Sequence, residues 1–114
     1  MALGKSYVLV SGLKLTNSFV YSAKYTTRNF PKVGITIENR SVGDEGSGVE
    51  YTVRAYPVEG LPMVLSIASG SVLTSGSSKY LAFSNPYDQV DVGLSALQDN
   101  RSGIATVYVT GKRK

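Results

Sequence analysis

Residues 49–56 read VEYTVRAY, and the alternation in that short run decides the fold. Val49, Tyr51, Val53 and Ala55 fall on one side of an extended chain, and Glu50, Thr52, Arg54 and Tyr56 on the other. Successive side chains of a strand point to opposite faces, so this is a strand with one buried and one wet face. The same period recurs outward in both directions. VGITIE (33–38) sets Val33, Ile35 and Ile37 against Gly34, Thr36 and Glu38. QVDVGLS (89–95) sets Val90, Val92 and Leu94 against Asp91 and Gly93, and Ala105, Val107 and Val109 oppose Thr106, Tyr108 and Thr110. No run of helical period competes with these.

Gly, Ser, Asn and Pro fall between the β-branched and aromatic runs, where turns need them. The expected strands are 6–10, 12–16, 18–26, 33–38, 49–56, 62–67, 71–74, 79–83, 88–94 and 104–110, the first two forming one bent strand if Gly12 is the bend. With some neighbours merged in this way, the first pair among them, they predict an all-β fold of about eight mostly antiparallel strands. A β-sandwich, jelly-roll or Ig-like, and a closed barrel both fit. The expected organisation is one domain over 1–114 with a frayed basic tail at 111–114. The segment 39–48 (NRSVGDEGSG) reads as a long exposed hairpin tip, and 68–78 (ASGSVLTSGSS) as a short strand between two turns. In SNPYD (84–88), Pro86 holds Asn85 extended.

Composition narrows the chemistry. The 114 residues contain no Cys and no His, which removes disulfides, thiolate metal sites and Ser-His-Asp or Cys-His catalysis. Twelve basic against eight acidic side chains leave +4, too mild for a dedicated nucleic-acid binder. The N-terminal apolar run breaks at Ser11 and Gly12, and no stretch reaches the ~18–20 apolar residues of a membrane span. The expectation is cytoplasmic synthesis without a signal peptide and no membrane contact.

Asp44 and Glu45, between Gly43 and Gly46, are the calcium candidates, with Asp88, Asp91 and Asp99 as further oxygen donors. Their spacing matches no calcium loop, so the expectation is no metal and no cofactor. No pair of carboxylates is framed by an aromatic cleft, so catalysis is not expected either. Tyr is an amphipathic, low-entropy contact residue, which makes Tyr56, Tyr87 and Tyr108 interface candidates. Lys112, Arg113 and Lys114 join them as a terminal patch attracted to an acidic partner. Two Asn-Arg-Ser triplets, at Asn39 and Asn100, read as chance matches to the glycosylation pattern.

The series GVEYTVRAYPVEG (48–60), SSKYLAFSNPYDQVDVGLSA (77–96) and SGIATVYVTGKRK (102–114) carries a whole-chain resemblance. The plan resembles the small β-sandwich or β-barrel proteins that bacteriophages and other viruses place on their capsids as decoration or minor structural subunits. No residue role transfers with it. The resemblance implies a non-enzymatic virion protein, a symmetric homo-oligomer such as a trimer, bound to shell proteins. A glycan-binding module using Tyr87, Asn85 and Asp88 is the alternative from another class, and a nucleic-acid accessory protein using the C-terminal cations is the second.

Overall fold

The computed structural model describes residues 4–28, 30–42, 47–58, 63–98 and 103–112, with side chains described for those between 7 and 111. Nine strands run through them: β1 (Gly4–Leu15), β2 (Val20–Tyr21), β3 (Tyr25–Thr26), β4 (Lys32–Asn39), β5 (Val49–Tyr56), β6 (Leu65–Val72), β7 (Ser78–Ser84), β8 (Gln89–Ala96) and β9 (Gly103–Lys112). They form two antiparallel sheets, β1-β9-β4-β7 and β2-β8-β5-β6, with β3 also on β8. The result is a β-sandwich and not a closed barrel. Its thin dimension of 18 Å suits two sheets stacked ~10 Å apart.

The alternation does the work expected of it. Val33, Ile35 and Ile37 of β4 and Val107 and Val109 of β9 point inward from one sheet, against Val49, Val53, Val92 and Leu94 of the other, all buried. Each such side chain contributes roughly 1.5–3 kcal/mol relative to exposure. That is why register is so strongly specified in β4, β5, β8 and β9: a slip of one residue would turn the whole set to solvent.

Elsewhere the backbone departs from the expected strands for local reasons. β1 is one strand bent at Gly12, whose φ of 58° suits glycine. The bend takes the Gly12 amide out of the ladder, and it donates instead to Thr106 Oγ1 at 2.9 Å. The expected strand 18–26 is two short pieces. At Ser22 the backbone amide donates to the Val92 carbonyl (2.8 Å), while the Val92 amide donates to Ser22 Oγ (3.0 Å). A side-chain hydroxyl thus takes the place of a backbone carbonyl, and pairing stops there until Tyr25.

The expected strands 62–67 and 71–74 are one strand, β6. The segment 39–48 is not a hairpin tip, because β4 and β5 belong to different sheets. Within its described ends Asn39, Ser41, Ser47 and Gly48 are buried, while Arg40 and Val42 are exposed. Asn39 Nδ2 donates to the carbonyls of Ser47 and Val72, both at 3.0 Å, and Asn39 Oδ1 accepts from the Ser41 amide. The tail expected to fray from 111 stays in β9 through Lys112, whose backbone pairs with Lys32 and Gly4. Gly111 is buried beneath the Phe30 ring, which lies 2.5 Å from where a Cβ would stand.

Candidate interaction surfaces

Antiparallel pairing of β5 with β8 sets Arg54 beside Asp91 and Thr52 beside Gly93 on the outer face of their sheet. β2 adds Tyr21 beside Gly93. Gly93 has no side chain, so the Tyr21 ring lies directly on the sheet, in contact with the space a Cβ would fill. The Arg54 guanidinium stacks on that ring at 3.6 Å from its centroid. It reaches Asp91 with two hydrogen bonds, Nε to Oδ1 at 2.8 Å and Nη2 to Oδ2 at 2.7 Å. The Tyr56 hydroxyl donates to the same Oδ2 at 2.7 Å, and Lys24 lies over the Tyr56 ring at 4.2 Å.

The carboxylate at the centre is 2% exposed. A charge so deeply placed has to be paired, and the planar fork of Arg supplies two bonds in one geometry. The hydrogen bond to Asp91 holds the Arg54 guanidinium above its ordinary range. Burial, reinforced by the bond to Asp91, pushes the Tyr56 phenol above its ordinary 10.0. The network is therefore a closed structural unit at neutral pH. Asp91, one of the expected oxygen donors for calcium, has both oxygens engaged. Among the described residues no three carboxylates gather as a metal site. Asp44, Glu45 and Asp99 lie outside the described residues.

The other expected contact residues are placed apart from one another. Tyr56 is on the outer face, but at 8% exposure it is covered by Lys24 and Arg54. Tyr108 is on the outer face of the opposite sheet, half-buried between Thr36 and Val8. Tyr87 is half-buried at one end of the sandwich. Its neighbour Asn85 spends its amide on three carbonyls, those of Thr27 (2.8 Å), Phe30 (3.0 Å) and Tyr87 (3.1 Å). That side chain ties the β3–β4 connection to the β7–β8 connection. The Lys112 side chain, Arg113 and Lys114 are outside what is described.

Composition gave no sign of where apolar side chains would remain in water. Most of them, among the described residues, lie on or beside the strands at the two open sides of the sandwich, while Val42, Val58 and Leu97 lie in the connections that follow β4, β5 and β8. On the side of β1 and β2 these are Tyr7, Val8, Phe19, Val20 and Tyr21. Here the sheets are bridged, since Tyr7 stacks on Tyr25 with centroids 5.4 Å apart. Burial, with a smaller contribution from Tyr7, raises the Tyr25 phenol above its ordinary value. On the side of β6 and β7, Met63, Val64, Leu65, Leu73 and Tyr80 are exposed. Between these two strands lies a cleft of ≈ 270 Å³ lined by Val53, Ile67, Ala68, Leu81, Phe83 and Tyr87.

No family model matches the chain, and no curated protein matches it in sequence. Solved structures do share its fold. The chain is similar to the SPBc2 prophage-derived protein YomS, at 16% identity over 98% of this chain and 95% of that one, with a TM-score of 0.65. It is similar to a chain of Bacillus endospore appendages, described as a family of disulfide-linked pili, at 10% identity over 99% and 89% of the two chains, TM-score 0.58. It is similar to part of a chain of infectious bursal disease virus, Gt strain, at 8% identity over 97% of this chain and 32% of that one, TM-score 0.54. The fold also matches 10% of a tripeptidyl peptidase 2 chain (7% identity, 93% of this chain, TM-score 0.59), so the architecture by itself assigns no activity.

Proposed function

We propose that this chain is a non-enzymatic structural subunit of a virion or similar particle, working through contacts with copies of itself and with shell proteins. The observation that carries the reading is the display of apolar side chains along both open sides of the sandwich. Apolar side chains grouped at a protein's surface mark an interaction site when the patch they form is large. The polar network on the outer face fits the same reading, because Asp91, Arg54 and Tyr56 satisfy one another. Likeness of fold to a prophage-derived protein, a pilus chain and a viral chain adds support at the level of architecture. In this reading the chain is made in the cytoplasm and built into the particle there.

The test is the mass of the purified chain in native buffer across a concentration series, measured by light scattering. A discrete oligomer is expected. A monomer at every concentration, or turnover of a substrate by the purified chain, overturns the proposal.

A further inference from the structure

A sandwich has edge strands whose outward backbone groups are unpaired, and natural proteins guard them with bulges, short strands or inward-facing charges. Three of the edges here are guarded in those ways. β1 has two register shifts and carries Lys14. β2 and β3 are two residues each. On β7, Lys79 stands in register with the buried Ile37, so a charge occupies a position on the inner face.

The fourth edge is different. From Met63 to Ser78 the sequence has no charged residue and no Pro. Among the described residues β6 pairs with β5 alone. Its one register shift lies near Ile67, and Ala68–Val72 then runs in unbroken register with Val49–Val53. Ser69, Gly70 and Ser71 are exposed.

We propose that a second copy of this chain pairs antiparallel along β6, about a two-fold axis centred on Gly70. This deepens the structural reading and rests on it. An interface between identical copies must be self-complementary. The regular stretch has that property, since the axis sets Ala68 opposite Val72 of the second copy, Ser69 opposite Ser71, and Gly70 opposite Gly70. Each pair is small or apolar and uncharged. Charge explains why a copy of the same chain can dock here. At +4 net, two copies repel in general. Pairing β1 or β7 with itself would bring Lys14 or Lys79 of both copies to one seam, whereas β6 brings no charge to meet another. The pairing merges the two β2-β8-β5-β6 sheets into one of double width through backbone hydrogen bonds. It builds even-numbered assemblies, in place of the three-fold form that the resemblance implies.

Gly70 itself is a poor place to test this, because the Tyr51 hydroxyl lies 2.6 Å from where its Cβ would be and substitution would disturb the core. Ser69 and Ser71 stand on the outer face, beside Thr52 and Glu50 of β5. The experiment compares the native chain, Ser69→Lys/Ser71→Lys and Ser69→Glu/Ser71→Lys by light scattering over a concentration series. It also measures amide deuterium exchange of the native chain at low and high concentration. The all-lysine variant sets like charges opposite across the axis and is expected to weaken association about tenfold, while the Glu/Lys variant sets opposite charges there and retains it.

Amides of residues 68–72 are expected to gain protection as concentration rises. Equal association by all three proteins, without concentration-dependent protection of 68–72, overturns the β6 site but leaves self-association standing. Equal weakening by both variants overturns the register centred on Gly70. A native chain that is monomeric throughout overturns both the site and the structural reading. If the all-lysine variant loses its β circular dichroism, the exchange measurement on the native chain decides alone.

Discussion

β5 has two neighbours in its sheet, and they differ in almost every respect. Toward β8 it meets a buried carboxylate, a forked guanidinium and a phenol that complete one another, with Tyr21 and Lys24 stacked over them. Toward β6 it meets Ser66, Ser69 and Ser71 on the same outer face, and little else. The first seam is held by side chains as well as by the backbone ladder; the second relies on the ladder and on the inner-face contacts of Ile67, Ala68 and Val72 with the core. The difference teaches where this molecule is finished and where it is open. A seam between two interior strands has no unpaired backbone for a further strand, whereas a small, uncharged strand at the rim offers one.

Breaking the closed seam is expected to have the largest effect. Asp91→Ala strips the guanidinium and the Tyr56 hydroxyl of their shared acceptor at a nearly buried position, and removing one partner of such a pair costs about 3 kcal/mol. Urea unfolding reads this as a lower midpoint at unchanged slope. A midpoint like that of the native chain would mean that the network only decorates the sheet. Tyr56→Phe removes one hydrogen bond to a charged acceptor and is expected to cost about 1.5 kcal/mol by the same measurement.

The Tyr56 variant also sharpens the alkaline limit. The native phenol titrates above the ordinary 10.0, so the folded state keeps its proton where the unfolded state has lost it. The stabilisation is therefore complete below about pH 10 and declines as pH rises through the folded value. Tyr25, shifted in the same direction, adds to the decline. Tyr56→Phe should flatten the fall of stability above pH 10 without altering it at neutrality, apart from the constant loss. Phenolate absorbance during an alkaline titration checks the same groups directly.

The closed seam and the open one were not equally legible from residues alone. VEYTVRAY and VGITIE declare their faces because both strands lie between two neighbours and bury one whole side. Arg54 and Asp91 each read correctly as outward, yet nothing local says that they meet, since β5 and β8 are far apart in the chain and their register is a property of the assembled sheet. Tyr56 likewise reads as outward but is covered, because the β2–β3 connection brings Lys24 over its ring and Arg54 of the same strand lies beside it. β6 was illegible for the opposite reason. Ala68, Ser69, Gly70 and Ser71 have the composition of a turn, and only the Tyr51 side chain passing beneath Gly70 explains why so small a residue sits within a strand. The expected break between 67 and 71 marks a strand whose residues were chosen by what lies beneath and beside it, and not by β propensity.

That account of β6 carries the smallest and most discriminating expectation. If Ser69 serves an edge and not the packing of its own sheet, Ser69→Ala should leave the stability of the dilute chain within about 0.5 kcal/mol of native. Its side chain is exposed, and its hydroxyl has no role in the core beneath Ala68 and Gly70. A loss comparable to that of Tyr56→Phe would show that the outer face of β6 is knit into β5 as firmly as β8 is, and the contrast between the two seams would disappear. Near-equality at low concentration, set beside the Asp91→Ala loss, would locate the rigidity of this sheet in the β5–β8 pair and leave β6 as the strand free to meet another chain.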